Sequence, residues 1–422
     1  MGPDVSYVVC VVVDKRASVI QPYRAMHLTT GALDGLRVLD VTQVMAGPFC
    51  SMLLADLGAD VVKIEPPAGD STRQMPGAVG LESPSFNAVN RGKRSLVINL
   101  KVPEGRDTLK RLAASSDILV ENFRPGVLDA LGLGFEALHA VNPRLIYASI
   151  SGYGQTGPDR DKGGFDLVAQ GASGIMSITG EAGGAPVKAG VPLTDLGAGL
   201  FALVGILAAL EHRHRTGVGQ QIDTSLVEAG VALSVWEATE FFTTGVAPKP
   251  MGSAHRMFAP YQAIRCADGY ITLGTANDRL FTRVCDLLGH AEWTTDPRFA
   301  DNPTRVANQA ALADAIEAVT ATRPCAHWLA LFEANDIPCG PINDYARVFA
   351  DPHLAAREMS VAVDHPVLGA IRALGSPIKL SATPTNARRR APLLGEHTNA
   401  VLLDYGLTAR EIAALRAAGA IA

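Results

Sequence analysis

The stretch GLRVLDVTQVMAGPFCSMLLADLGADVVKIE, Gly35 to Glu65, decides how the chain is read. GLRVLDV is a short apolar run suited to a buried strand. GPFCSMLLADLG has helical spacing and closes on a glycine, and ADVVKIE is a second apolar run. That order is a βαβ unit. It continues outward: RSLVINL (94–100), DILVENF (117–123) and RLIYASIS (144–151) read as further strands, and PEGRDTLKRLAASS (103–116) reads as a helix with proline and acid in its first turn. Strands that alternate with helices and are apolar throughout imply a mostly parallel sheet covered on both faces. The expected fold is α/β, a Rossmann-like large domain.

Beyond the turn-rich GYGQTGP (152–158), the pattern is helical over Phe165–Thr179, Asp195–Arg213 and Gln221 to about Phe242. A proline- and glycine-rich stretch, APKPMGSAHRMFAP (247–260), marks a boundary. After it, YQAIRCADGYITLGTAN (261–277) reads as a hairpin turning on Ala-Asp-Gly, followed by helices up to NDIPCGPIN (335–343). The expected organisation is an extension over 1–33, a large domain from 34 to 225, a connecting helix over 226–250, and a smaller α+β domain over 251–343. A return segment, 344–422, then completes the large domain. That segment ends in a helix opened by the capping box of Thr408 and Glu411.

Composition excludes several classes. With 37 basic and 42 acidic residues interspersed, the net charge of −5 offers no basic stripe, so nucleic acid is not an expected partner. The six cysteines, Cys10, Cys50, Cys266, Cys285, Cys325 and Cys339, form no CxxC pair, which fits reduced thiols and a cytoplasmic location. The apolar run YVVCVVV (7–13) lacks the basic flank and cleavage site of a signal peptide, and Met26 offers a second start. The apolar segment after Asp195 reads as too short for a membrane span, so no membrane is expected.

The first βα turn, TQVMAGP (42–48), has one glycine where a dinucleotide fold needs three, which argues against a nicotinamide enzyme and leaves Glu65 as an ordinary strand-end acid. No HExxH, GxSxG or GxxxxGK[ST] is present, and no metal is expected. His212 and His214 read as cations at a helix C-terminus, and Arg388–Arg390 as a solvated run. Two acids in apolar surroundings are the chemical leads, Asp166 in GGFDLVAQGASG and Asp195 in PLTDLGAGLF. Each stands before a helical segment. Each reads first as an N-cap, and each also admits a reading as a carboxylate aimed into a water-poor pocket as a nucleophile, with Gly197, Ala198 and Gly199 admitting a bulky thioester beside Asp195. The residues alone leave both readings open.

From about Leu33 to the C-terminus the chain resembles the class III CoA-transferases, a family that also holds the α-methylacyl-CoA racemases. The resemblance rests on LDGLRVLDVTQVMAGPFCSMLLADLGADVVKIEPP, NRGKRSLVINLK, ENFRPGVLDALGLG, SISGYGQTGP, GFDLVAQGASGIMSITG, PLTDLGAGLFALVGILAAL, TGVGQQIDTSL, IPCGPIN and PLLGEHT, in that order. It implies an interlaced homodimer, with acyl-CoA and a carboxylic acid as substrates and no permanently bound cofactor. It implies that Asp195 is the catalytic nucleophile. For CoA it implies Met45, Ala46, Leu100, Lys101, Asn122, Phe123, Arg124, Gly163, Gly164, Phe165 and Asp166. Pro66 and Ala130 replace CoA-binding arginines of formyl-CoA transferase, which makes Arg73, Lys93 and Arg94 substitutes to consider. Epimerisation is the alternative reading, which Phe165 disfavours because a racemase has a histidine at that position, and a CoA-binding protein without chemistry is a third. GSAHRMFAPYQ (252–262) in place of a glycine-rich loop resembles the branch acting on dicarboxylates, with His255 and Arg256 on the acceptor side.

Overall fold

The computed structural model describes residues 31–422. The extension read over 1–33, with Cys10 and Met26, therefore lies outside the described residues except for its last three. The opening unit forms as β1 (Arg37–Asp40), α1 (Ala46–Asp56) and β2 (Asp60–Glu65), with β1 and β2 parallel from Arg37 opposite Asp60 to Asp40 opposite Lys63. There follow α2 (Pro84–Asn90), β3 (Arg94–Val97), α3 (Pro103–Ala113), β4 (Ile118–Glu121), the short α4 (Val127–Ala130) and α5 (Phe135–Val141), and β5 (Ile146–Ser151). Next come α6 (Asp166–Ala172), α7 (Ile175–Ile178) and the 24-residue α8 (Leu193–Thr216).

One helical expectation is overturned at this point. Gln221–Ser225 is a strand, β6, parallel to β5 from Tyr147 opposite Gln221 to Ser151 opposite Ser225. Helices α9 (Leu226–Leu233) and α10 (Val235–Thr244) begin only after it. The reason is local. Gln221 and Asp223 face outward while Ile222 and Thr224 turn inward, the two-residue alternation of an edge strand, and the Ser225 hydroxyl accepts from the Glu228 N–H to open α9.

The six strands lie in the order β3-β2-β1-β4-β5-β6, all parallel. The winding reverses between β1 and β4, and in such sheets the ligand crevice opens there, beyond the carboxyl ends of the strands. Both faces are covered. Val38, Val61, Val120 and Ile146 pack with Leu53 and Leu54 of α1 and Ala202 and Ile206 of α8. On the opposite face, Leu39, Val62, Leu96 and Leu119 pack with Leu109 and Leu112 of α3 and with the chain's last residues, including Val401 and Ile421.

Helix α8 corrects the length argument made from the sequence. At 24 residues, with a mean hydropathy of 2.0 over its most apolar 18-residue window, it is long and apolar enough to cross a bilayer, but half of that window is buried inside the protein. Gly199 explains how closely it docks. A β-carbon there would lie 2.6 Å from the Ala46 carbonyl oxygen. Its other side, with Leu200, Val204 and Leu207, is uncovered.

The hairpin read at 261–277 forms as antiparallel β7 (Tyr261–Cys266) and β8 (Gly269–Gly274). With α11 (Asp278–Leu288), α12 (Asn302–Ala307), α13 (Gln309–Thr320), α14 (Cys325–Glu333) and β9 (Cys339–Pro341), it encloses its own core around Ile271, Phe281, Ile316 and Phe332. Helices α15 (Tyr345–Ala350) and α16 (Pro352–Ala356) lead to a separate hairpin, β10 (Ser360–His365) and β11 (Gly369–Leu374), which does not join the parallel sheet. The chain then returns to that sheet with α17 (Thr398–Asp404) and α18 (Ala409–Ala417), whose capping box is formed as read. The Asn99 N–H donates to the Ala420 carbonyl at 2.8 Å.

Candidate active site

The site begins with the turn that follows β1. Asp40, fully buried at the strand's end, accepts from the Thr42 N–H at 2.9 Å and the Thr42 hydroxyl at 2.5 Å. The Lys63 ammonium donates to the Thr42 carbonyl at 3.0 Å and pairs with Asp70 at 2.9 Å. Lys93 pairs with Asp40 at 2.8 Å and donates to the Pro48 carbonyl and to Asn90. These charges are interdependent. Burial alone would push the Asp40 carboxyl up, but Lys93 and Lys63 hold it well below the usual carboxylate range, while burial brings Lys93 down to about 8 against the pull of Asp40.

Gln43 is held next, by the Asn122 side chain after β4, and Val44 then takes φ = +69°, a left-handed conformation that a β-branched residue rarely adopts. Helix α1 starts two residues later. No side chain caps it.

A cavity of about 300 Å³ opens above this turn, where β1, β4 and β5 end. Met45, Ala46, Asn122, Phe123, Arg124, Gly163, Gly164, Phe165 and Asp195, all expected from the sequence, line it together. Gln43, Val44 and Lys162 line it as well and were not foreseen. For Lys162 the signal was a cation immediately before Gly163-Gly164. Leu100 and Lys101 line a second, mainly apolar cavity of about 410 Å³ over β2 and β3, and Gln43 and Phe123 border both spaces. Gly164 is small for a visible reason: a β-carbon there would collide with the Gly152 α-carbon.

Asp195 is the one carboxylate lining the first cavity. It is the third residue of α8 rather than its N-cap, which is Pro192, and its carboxylate accepts no hydrogen bond from the described residues. Burial, and then the negative charge of Asp166, push it up to about 6. Asp166 does not cap its own helix either. It is the first residue of α6, and its Oδ1 accepts from the Thr194 N–H at 3.0 Å and the Thr194 hydroxyl at 2.8 Å, so it caps α8 across space. Because these bonds turn it away, Asp166 does not line the cavity expected to hold CoA.

The substitute cations fare differently from expectation. Arg73 is fully buried, held by both oxygens of Glu65 at 2.7 and 2.8 Å and by Glu82, so Glu65 is the anchor of an internal arginine. Lys93 is buried on Asp40, and Arg94 is shared by Asp60 and Asp404. None is free for a phosphate. Arg388–Arg390 is solvated only in part: Arg388 is exposed and pairs with the exposed Glu358, whereas Arg390 pairs with Glu396 and Arg389 donates to the Ala55 carbonyl. Arg124 and Lys162 remain as the cations at the cavity. His255 and Arg256 border a separate space of about 880 Å³ that shares no residue with the Asp195 cavity. There the His255 ring lies among Trp236, Phe258 and Tyr261, and Arg256 donates to the Lys249 carbonyl at 2.6 Å.

Comparison with known proteins identifies the family. The family model described as CoA-transferase family III matches residues 33–398. Succinyl-CoA:glutarate CoA-transferase of Mus musculus is 42% identical over 374 residues, covering 88% of this chain and 86% of its own. Acetyl-CoA:oxalate CoA-transferase of Acetobacter aceti is 41% identical over 378 residues, covering 89% and 96%. A crystal structure of a CAIB/BAIF family protein from Brucella suis superimposes with a TM-score of 0.80 at 40% identity, over 89% of this chain and all of that one.

Proposed function

Because the chain belongs to CoA-transferase family III, and is a CoA-transferase, we propose that Asp195 is its nucleophile and that its acceptors are dicarboxylic acids. The observation that carries this reading is that Asp195 alone supplies a carboxylate to the cavity at the sheet's switch point. Its raised basicity suits attack. The Asp195 carboxylate adds to the thioester carbonyl of the donor and expels CoA thiolate, leaving a mixed anhydride. The thiolate then attacks the aspartyl carbonyl, releasing the donor acid and leaving an aspartyl-CoA thioester. The acceptor carboxylate attacks that thioester, and the freed thiolate takes the acceptor acyl group from the second anhydride, restoring Asp195. Thioester is exchanged for thioester, so no step requires ATP.

The arms of CoA are assigned by chemistry. Val44, Met45, Phe123 and Gly163 flank the thioester and pantetheine; the apolar space beside Leu100 takes the adenine, with Lys101 at its rim; Arg124 and Lys162 meet the anionic groups. Succinyl-CoA is the proposed donor, and dicarboxylates the proposed acceptors, because the relatives named above act on glutarate and oxalate. Phe165, 76% exposed at the cavity mouth, cannot carry a proton, and Asp166 faces away, which supports transfer over epimerisation.

An interlaced homodimer belongs to the same proposal. It is supported by the apolar side chains left uncovered on α8 and α10, among them Val204 at 62%, Trp236 at 62% and Phe242 at 79% exposure. A cytoplasmic location is supported by the five described cysteines, all free thiols.

The test is to supply succinyl-CoA with glutarate, oxalate and monocarboxylates of matched length, and to trap the intermediate with hydroxylamine. A hydroxamate at Asp195, found by mass spectrometry, and loss of transfer in Asp195→Ala are expected. Transfer retained by Asp195→Ala overturns the nucleophile; equal use of monocarboxylates overturns the acceptor class.

A further inference from the structure

The segment that enters α8 and the Asp166 carboxylate that caps its first turn are both held by one side chain that does not touch the cavity. Gln170, on α6, is completely buried, and both ends of its amide are used. Its Nε2 donates to Asp166 Oδ2 at 2.7 Å and to the Val191 carbonyl at 3.4 Å, and its Oε1 accepts from the Ala189 N–H at 2.8 Å. Val191 and Ala189 belong to the strand of chain that enters α8, and Asp166 caps that helix through Thr194. The two routes to Asp195, along the chain and across space, therefore meet on one amide.

We infer that Gln170, acting through Asp166, is a positioning residue that fixes the direction of the Asp195 carboxylate and the charge beside it. The inference rests on the assignment of Asp195 above. A buried amide is suited to this because it must donate at one end and accept at the other, so it can hold Asp166 and Ala189 in only one orientation. Gln170 and Thr194 together hold the Asp166 carboxylate by both of its oxygens. Of the other charged groups around Asp195, Arg124 and Lys162 line the cavity, Glu228 of α9 is bound to Ser225, and the first turn of α1 carries no acid. Asp166 is thus the anion that sets the nucleophile's field.

The experiment uses Gln170→Leu, Asp166→Asn, and the double variant Asp166→Asn/Gln170→Glu in the full-length protein. In the double variant the amide and carboxylate exchange places, so the bond between them is kept while the charge moves one step further from Asp195. Expected are a fall in kcat of at least tenfold in each single variant with the KM for succinyl-CoA changed less than twofold, and recovery of most of that loss in the double variant. Asp195 ionisation is followed separately, by carbodiimide coupling of a small amine as a function of pH, read at Asp195 by mass spectrometry; its midpoint is expected to fall in Asp166→Asn. Single variants with wild-type kcat, or a double variant no better than the singles with an unmoved Asp195 midpoint, would overturn the inference. The coupling measurement needs no turnover, so it remains decisive even where Asp195→Ala shows that the nucleophile is another group.

Discussion

Asn122 and Gln43 meet across the switch point of the sheet, side chain against backbone: the Asn122 Nδ2 donates to the Gln43 carbonyl at 2.7 Å, and its Oδ1 accepts from the Gln43 N–H at 2.8 Å. The resemblance assigns Asn122 to CoA, but its amide is already occupied in shaping the turn at the cavity proposed for CoA. Asn122→Leu should raise the KM for acyl-CoA roughly tenfold and remove about 1–3 kcal/mol of stability, because two backbone groups lose their partner. Steady-state kinetics and urea unfolding of the same variant check this. An unchanged KM would assign the clasp no part in substrate binding.

The pH dependence follows from Asp195. With its carboxyl pushed up to about 6, the anion proposed as the nucleophile is lost as pH falls through that value, so kcat/KM should hold between pH 7 and 8 and decline tenfold per unit well below 6. A profile measured from pH 4.5 to 9 shows whether the limb lies near 6 or at an ordinary carboxylate value.

The same shift has a thermodynamic sign. A carboxyl that rises from 3.8 to about 6 on folding binds more protons in the folded state, so its contribution is present below 3.8 and lost as pH rises through 6. Asp195→Asn, which carries no charge, should abolish transfer yet stabilise the fold at pH 7.5 by about 1–2 kcal/mol, less than the full shift because the site is partly wet. Its advantage should vanish near pH 4, as thermal unfolding at the two pH values would reveal.

Val44 carries backbone strain at the cavity wall. Glycine occupies φ = +69° without cost but loses more freedom on folding, so Val44→Gly should gain up to about 1 kcal/mol, the difference between the two effects. A lower denaturation midpoint in urea would contradict this.

Much of the fold was legible because it is repetitive. The apolar runs around Val38, Val62 and Val120 are continuous, as strands buried on both faces must be, and the glycine after α1 marks its end. Strand β6 escaped notice because Ile222 and Thr224 alternate with polar residues over too short a span to break the helical pattern that follows. The candidate site was legible as a set of positions, nine of which line one cavity. What the sequence does not disclose is who holds whom. Arg73, Lys93 and Arg94 look like free cations until the fold brings Glu65, Asp40 and Asp60 against them, and Asp166 looks like a cap for its own helix until α8 arrives from 28 residues away. Pairing across the chain is a property of packing, and composition carries no trace of it.

The burial of Asp40, Lys63 and Lys93 beneath the turn after β1 shapes how the protein responds to ionic strength. Mobile ions screen charges over about 10 Å at 0.1 M salt, but only where they have access. The cations proposed to meet substrate, Arg124, Lys162 and Lys101, are exposed to solvent, whereas the three charges that shape the turn are sealed inside the sheet. Added salt should therefore weaken the capture of CoA while leaving the shape that receives it unchanged, so that KM climbs with ionic strength and the turnover of bound substrate does not.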